Sequence, residues 1–309
     1  MLYSYLEGLG ANVIYHIPKR HEDGYGLNTN IIDELKNKEV NLIVTVDNGI
    51  CAVKEISYAK TLGIDVVVTD HHRLPEELPE AVAIVDPQRE KNNEHKNLAG
   101  VGVAFKLIVA LEEDTDIGFL LEEYAELVAI GTIGDIVPLQ GENRIIAKVG
   151  LEFLNQTNKV GLVALLKEAG IFEKYITSTD VAFGIVPRIN AAGRLSTTDK
   201  VVELLTCEDE EKAQCIAKSL EQENSERKDL VKEAFDQIEI ILKKEPERLF
   251  EKVIIVDGEN WHPGVIGIVA SKLVERYSKP VIVITSTGNV ARASARSIDC
   301  LLYTSDAAD

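Results

Sequence analysis

Two α/β domains, a larger one built on a parallel sheet and a smaller one joined to it by a long helix, are what this 309-residue sequence predicts. Three observations carry that reading. Short aliphatic, β-branched runs alternate with helical stretches between residues 41 and 87. A charged stretch at 208–244 keeps apolar residues only at helical spacing, and a second strand–helix–strand pattern begins at residue 252. The expected boundaries are 1–197 for the larger domain, 198–247 for connecting helices and 248–298 for the smaller domain.

"NLIVTVDNG" (41–49) and "DVVVTD" (65–70) read as short, fully buried strands, with "ICAVKEISYAKTLG" between them as a helix. "AVAIVDP" (81–87) reads as a third strand. This alternation describes βαβ units, hence parallel strands covered on both faces. From Leu98 to about Ala169 the pattern becomes helical, in "LAGVGVAFKLIVALEE", "FLLEEYAELVAIGTIG", "RIIAKVGLEFLN" and "GLVALLKEAG". The stretch at 208–244 follows, with Leu230, Ala234, Ile238 and Ile241 at helical spacing. Strand "KVIIVDG", helix "VIGIVASKLVERY" and strand "PVIVIT" complete the second unit.

At 45% hydrophobic and 27% charged, the composition is that of a soluble globular protein. No run approaches the roughly 20 apolar residues that cross a bilayer, and "MLYSYLEGLG" lacks the basic and apolar regions of a signal peptide. Cys51, Cys207, Cys215 and Cys300 have neither zinc nor disulfide spacing, which points to a reducing cytoplasm. The net charge of −18 argues against a protein that coats nucleic acid. Much of the acid, however, lies on the solvated face of the 208–244 helix, so charge alone leaves the partner open.

In open parallel sheets, ligands bind beyond the carboxyl ends of the strands. Asp47 ends the first strand before an "NG" turn, and Asp70, His71 and His72 end the second. Asp135, in "GTIGDIVPL", joins them from the end of an apolar helix. Alone, Asp47 would read as a helix N-cap and His95 as an ordinary satisfied or exposed histidine. Together, costly buried carboxylates and imidazoles point to a cation, and Asp and His donors suit Mn²⁺ or Mg²⁺. Neighbours on an extended chain point to opposite sides, so one histidine is expected to face metal and the other substrate. "GVGVAF" (100–105) lacks the third glycine of a dinucleotide fingerprint and is read as helix packing. No phosphate-binding Walker loop or Gly-x-Ser-x-Gly elbow is present.

"TDHH" after "TVDNG" and before "GTIGDIVPL" resembles the DHH phosphoesterase superfamily. Within it, "IPKRHEDGYGLN" (17–28), "LAGVGVAFKL", "RINAAGRL" (188–195) and "WHPGVIGIVASKL" (261–273) resemble the RecJ family, bacterial exonucleases that degrade single-stranded DNA. The likeness runs to about Ile298. It implies a DHH domain followed by a DHH-associated domain, and two Mn²⁺ or Mg²⁺ ions. Asp47 would be shared between the ions, with His71 and Asp135 completing one shell, Asp70 orienting His71, and His72 beside the scissile phosphate. It further implies phosphate contacts from Arg188, Asn190 and Arg194, and strand contacts from His262, Arg292, Ser294 and Arg296. The plain alternative for those four strand contacts is a charged surface hairpin. The implied activity is stepwise 5′-to-3′ release of 5′ mononucleotides in DNA repair and recombination, beside a single-strand-binding protein and a repair helicase.

The sequence also departs from that family. The family's Asp-x-Asp strand, which precedes "LYSYLEGLGANVIYHIP", is missing, so the chain reads as a fragment expected to be inactive alone. The nucleic-acid-binding β-barrel that often follows is missing too, Ala293 replaces a usual glycine, and "CLLYTSDAAD" within the 299–309 tail reads like translated adapter sequence. Two other readings stand beside the exonuclease: a DHH phosphodiesterase for short oligonucleotides or cyclic dinucleotides, and a non-catalytic scaffold. "RHEDGYGLN" and "RINAAGRL" weigh against the first, and the intact Asp47, His71, His72 and Asp135 against the second.

Overall fold

β-Branched residues favour the extended chain because they pack well on a pleated surface, and Val66, Val67 and Val68 place β2 (Asp65–Thr69) beside β1 (Leu42–Val46). β3 (Ala83–Val85) joins on the other side of β2, giving a parallel sheet in the order β1-β2-β3. The structure, a computed structural model, describes residues 1–18, 26–90, 95–112, 116–196, 198–288 and 290–298. Most of "KRHEDGYGLN" and the 299–309 tail therefore lie outside the described residues. The strands end earlier than the sequence suggests. Asp47 turns left-handed and stops β1, while Asp86 opens a 3₁₀ turn at Pro87–Arg89.

The described chain divides into two units: Met1–Asn190 with Thr198–Ser219, and residues 191–196 with 220–298. In the first, α2 (Thr29–Asn37) and α3 (Val53–Thr61) pack Ile31, Ile32, Leu35 and Ile56 against Ile43, Val66 and Val68 of the sheet. A second cluster joins α1 (Leu2–Gly8), α4 (Gly100–Leu111) and α5 (Ile117–Gly134) through Tyr5, Phe105, Ile108 and Val128. α6 (Gly141–Leu154) lies against α5, and α7 (Val160–Glu168) follows it. The one-turn helix α8 (Ser178–Asp180), capped reciprocally by Thr177 and Asp180, runs into a π-helical turn at Val181–Ile185 and then α9 (Val186–Leu195). Pro187 has no N–H to give to the preceding turn, and the helix widens just before it. α10 (Asp199–Leu205) leads to α11 (Glu210–Lys244), the long helix expected from the charge pattern.

The second unit is a mixed sheet. β4 (Ile254–Glu259) pairs parallel with β5 (Val281–Thr287), and β5 pairs antiparallel with β6 (Val290–Arg296). Val231, Ala234, Ile238 and Leu242 of α11 meet Ile254, Val256, Val281 and Val283, together with Val269 and Leu273 of α12 (Ile266–Tyr277). The buried stripe thus passes through Val231 and Leu242, with Leu230 and Ile241 flanking it. This is an α/β architecture with a parallel sheet and a long helix, as the sequence predicts.

Gly150 of α6 sits where an added Cβ would fall on the carbonyl of Ala125 and the methyl of Ala129 in α5. Alanine elsewhere in a helix gains up to about 1 kcal/mol over glycine, whereas overpacking costs about 1–3 kcal/mol. Gly150→Ala is therefore expected to lower the thermal midpoint by a few degrees, and an unchanged or raised midpoint in a melting curve would refute the close crossing.

Candidate metal centre

The parallel register aligns Val46 with Thr69 and Thr69 with Val85. The next residue of each strand is an aspartate: Asp47, Asp70 and Asp86. Main-chain bonds extend the ladder to that row, with Asp47 N–H donating to Thr69 O at 3.0 Å and Asp70 N–H to Val85 O at 3.0 Å. Three carboxylates thus end three neighbouring strands at the edge where open parallel sheets bind ligands.

The backbone is bent to suit. Asp47 has φ 62°, a left-handed conformation uncommon outside glycine. Asp135 caps α5, and Ile136 after it has φ 59° where a helix usually places glycine. Ile136 gains no burial in exchange, being 88% exposed. Such residues cost of order 1–3 kcal/mol each and gather at functional sites.

His71 Nε2 lies 2.9 Å from Asp47 Oδ1 and 3.5 Å from Asp135 Oδ2, so the predicted trio converges. That nitrogen is buried and makes no well-aligned hydrogen bond among the described residues, close as it is to two carboxylates. Asp47, His71 and His72 also each bring a ligand atom within 4.8 Å of the others. The two histidine rings do not diverge as strand geometry suggests, because the chain has left β2; their centroids are 4.5 Å apart. The role expected of Asp70 changes as well. Its Oδ1 pairs with the His72 ring at 2.6 Å and accepts the main-chain N–H groups of His71 and His72, while Oδ2 accepts Ile50 N–H. Asp70 therefore orients His72 and fastens the turn after β1, not the His71 ring.

The electrostatics describe an under-neutralised cluster. The Asp47 carboxylate, as the acceptor nearest Nε2, raises the His71 pKa above the usual imidazole value, against burial and with help from Asp135 and Asp70. Burial raises Asp135, and the Asp47 charge adds to it, against the two histidines. Burial likewise raises Asp86, next to Asp70. Asp70, only 1% exposed, goes the other way: burial pushes it up, but donors from Ile50, His72 and His71 together hold it below the usual carboxylate range. Oxygen and imidazole donors, with a buried nitrogen pointed at two acids, fit a hard divalent cation.

Two residues of this site were not singled out from sequence. Asp86 is 7% exposed; one oxygen caps Gln88 N–H and the other has no hydrogen-bond partner among the described residues. Its signal was the shared pattern of an aspartate ending each aliphatic run. Gly100, read as a packing glycine, stands directly against the Asp47 side chain, and any Cβ there would overlap it.

The predicted phosphate contacts divide. Arg188 is buried, and its guanidinium donates to the carbonyls of Gly184 and Glu168, so its contacts hold the π-turn together. Asn190, on the same helix, is exposed. In the second unit, Arg194 Nη1 donates to Gly264 O at 3.2 Å, and Gly264 N–H donates to His262 Nδ1 at 3.1 Å. A Cβ at Gly267, in the first turn of α12, would lie 3.0 Å from Ser294 Oγ and 3.1 Å from Arg296 Nη2. Alternation along β6 puts Arg292, Ser294 and Arg296 on the α12 side of the sheet. Ala293 pairs with Ile284 on the opposite face, so its departure from glycine falls away from those three.

Residues 1–132 match the family model described as "DHH family, N-terminal domain". The single-stranded-DNA-specific exonuclease RecJ of Bacillus subtilis (strain 168) is 44% identical over 95% of this chain and 37% of its own length. The protein of the same name from Salmonella typhimurium is 39% identical over 96% of this chain and 54% of its own. The chain thus spans between about a third and a half of these relatives. Among solved structures, a manganese-bound exonuclease RecJ superposes with a TM-score of 0.82 at 32% identity, covering 99% of this chain and 83% of that one. On that sequence identity and that superposition, the chain belongs to the RecJ family of DHH proteins.

Proposed function

We propose that this chain carries the metal-binding and strand-gripping parts of a single-stranded-DNA exonuclease that removes mononucleotides stepwise from the 5′ end. The observation that carries the reading is the buried His71 Nε2 set between Asp47 and Asp135. Those three residues, with His72 beside them, would hold Mn²⁺ or Mg²⁺. Two such ions sharing Asp47 would supply hydroxide at neutral pH and offset charge on the phosphate oxygens. Hydrolysis joins the water oxygen to phosphorus and breaks the bond to the 3′ oxygen, which leaves with a proton. His72, tied through Nδ1 to Asp70, would hold a proton at its other ring nitrogen beside that phosphate.

Arg194, His262, Arg292, Ser294 and Arg296 would grip the backbone, arginine forks suiting phosphate oxygens. Asn190, exposed one turn before Arg194 on the same helix, is a further contact in this reading. An acidic chain can do this because only the local surface must be positive. The relatives' names support the substrate, and no helix among the described residues is long and apolar enough to cross a membrane. The work proposed is repair and recombination of DNA in the cytoplasm, beside a single-strand-binding protein and a repair helicase.

Three outcomes are expected. In Mn²⁺ titrations followed by electron paramagnetic resonance, Asp47→Ala and His71→Ala should weaken binding more than His72→Ala, which keeps both partners of the short contact; equal loss in all three would refute the division. Gly100→Ala should weaken Mn²⁺ binding by displacing Asp47, and retained affinity would show that Asp47 has room to move. Arg194→Ala and Arg296→Ala should weaken binding of a 5′-phosphorylated single strand and flatten its salt dependence by about 0.7 per lost phosphate contact. Arg188→Ala should instead lower the melting temperature. Duplex bound as tightly as single strand, or dinucleotides preferred over longer strands, would overturn the substrate assignment.

A further inference from the structure

Gln88 and Asn143 hold neighbouring carbonyls of one loop. Gln88 Nε2 donates to Lys96 O at 2.6 Å and reaches His71 O at 3.4 Å. Asn143 Nδ2 donates to Asn97 O at 2.6 Å and to Pro138 O at 3.1 Å. The loop then passes through Leu98 and Ala99, both buried, to Gly100, which abuts Asp47. Asn143 itself is 2% exposed. A primary amide offers two N–H donors on one rigid plane, so each side chain can bridge two carbonyls and fix the distance between their segments.

The segments bridged are those that carry the candidate ligands. Gln88 connects the loop to the main chain of His71, and Asn143 connects it to Pro138, three residues beyond Asp135. Gly100 brings the same loop against Asp47. Gln88 is in turn fixed by Asp86, the buried aspartate of the strand-end row, which caps its N–H at 2.8 Å. None of these four residues needs to touch the ion to set where the ligands stand.

We infer that Gln88 and Asn143 are positioning residues for the metal centre, acting together through the 95–100 loop that holds Asp47, His71 and Asp135 at their spacing. The inference rests on the proposed metal site and adds to it the device that keeps the ligands in place. Partners behind metal ligands typically contribute about 10–100-fold in affinity. Because both amides act on one loop, their effects should not add.

The test is Mn²⁺ titration by electron paramagnetic resonance on the whole chain, with thermal melts on the same samples. Gln88→Met and Asn143→Leu keep approximate shape and remove the donors; each should raise the Mn²⁺ dissociation constant about tenfold or more. Gln88→Glu and Asn143→Asp also lose the donors but add negative charge, which by itself would tighten cation binding; weaker binding in them too would assign the effect to the amide. The double variant Gln88→Met/Asn143→Leu should lose less than the product of the single losses. Parent-like Mn²⁺ affinity in the four single variants, with Asp47→Ala still deficient, would overturn the positioning role and leave the metal site standing. Affinity lost only in proportion to a lowered melting point would likewise overturn it. No Mn²⁺ binding by the parent chain would remove both the site and the inference.

Discussion

Parallel pairing of β1, β2 and β3 is the constraint on which the rest depends. In a parallel ladder, a residue's neighbours across the sheet are set by register alone, and a slip of one position turns every side chain to the other face. Here the valines of β2 fix that register by their burial, so the residue after each strand also falls in line. Asp47, Asp70 and Asp86 become one row without any contact between them having to be selected. Asp70 and Asp86 of that row are buried, where charges interact far more strongly than in water, while Asp47 is exposed.

A row of neighbouring acids, buried at Asp70 and Asp86 and exposed at Asp47, is unfavourable unless each member has a distinct task. Asp70 is satisfied within the protein, by three main-chain donors and one imidazole. Asp47 and Asp135 are not satisfied in that way; they crowd His71, and their own backbones or neighbours sit in left-handed conformations. The cluster is therefore split into a part that builds the turn and a part held ready for a cation. Such a split keeps the fold intact while the exposed carboxylates change partners.

The α/β architecture was legible because buried strands and amphipathic helices leave different periodicities, and both are strong in this chain. Asp47 and His71 were legible because strand ends are where a parallel sheet gathers chemistry, and Asp135 because it ends an apolar helix. The orientation of the histidines was not, since strand alternation applies only while the chain is extended and His71 already lies beyond β2. Asp70 was assigned to the His71 ring on the family resemblance, and its oxygens instead meet the His72 ring and main-chain donors. Arg188 and Arg194 look alike in "RINAAGRL", yet Arg188 is buried and donates to carbonyls of the π-turn and of Glu168, while Arg194 donates to Gly264 next to His262. Sequence spacing cannot show which carbonyls an arginine reaches. Gly100 looked like packing, and it is packing, but against a carboxylate instead of a helix.

The π-helical turn at Val181–Ile185 has a consequence for how this stretch can vary. A π-turn is in effect one residue more than an α-helix needs, taken up within the turn, so the faces before and after it keep their phase. Each residue of regular α-helix turns the face by about 100°. A residue added to or removed from the regular helix between 186 and 188 would therefore swing Asn190 and Arg194 around the axis, whereas trimming one position from 181–185 would leave Arg188, Asn190 and Arg194 in phase. The surplus residue marks a place where length can vary by one without turning the face that follows.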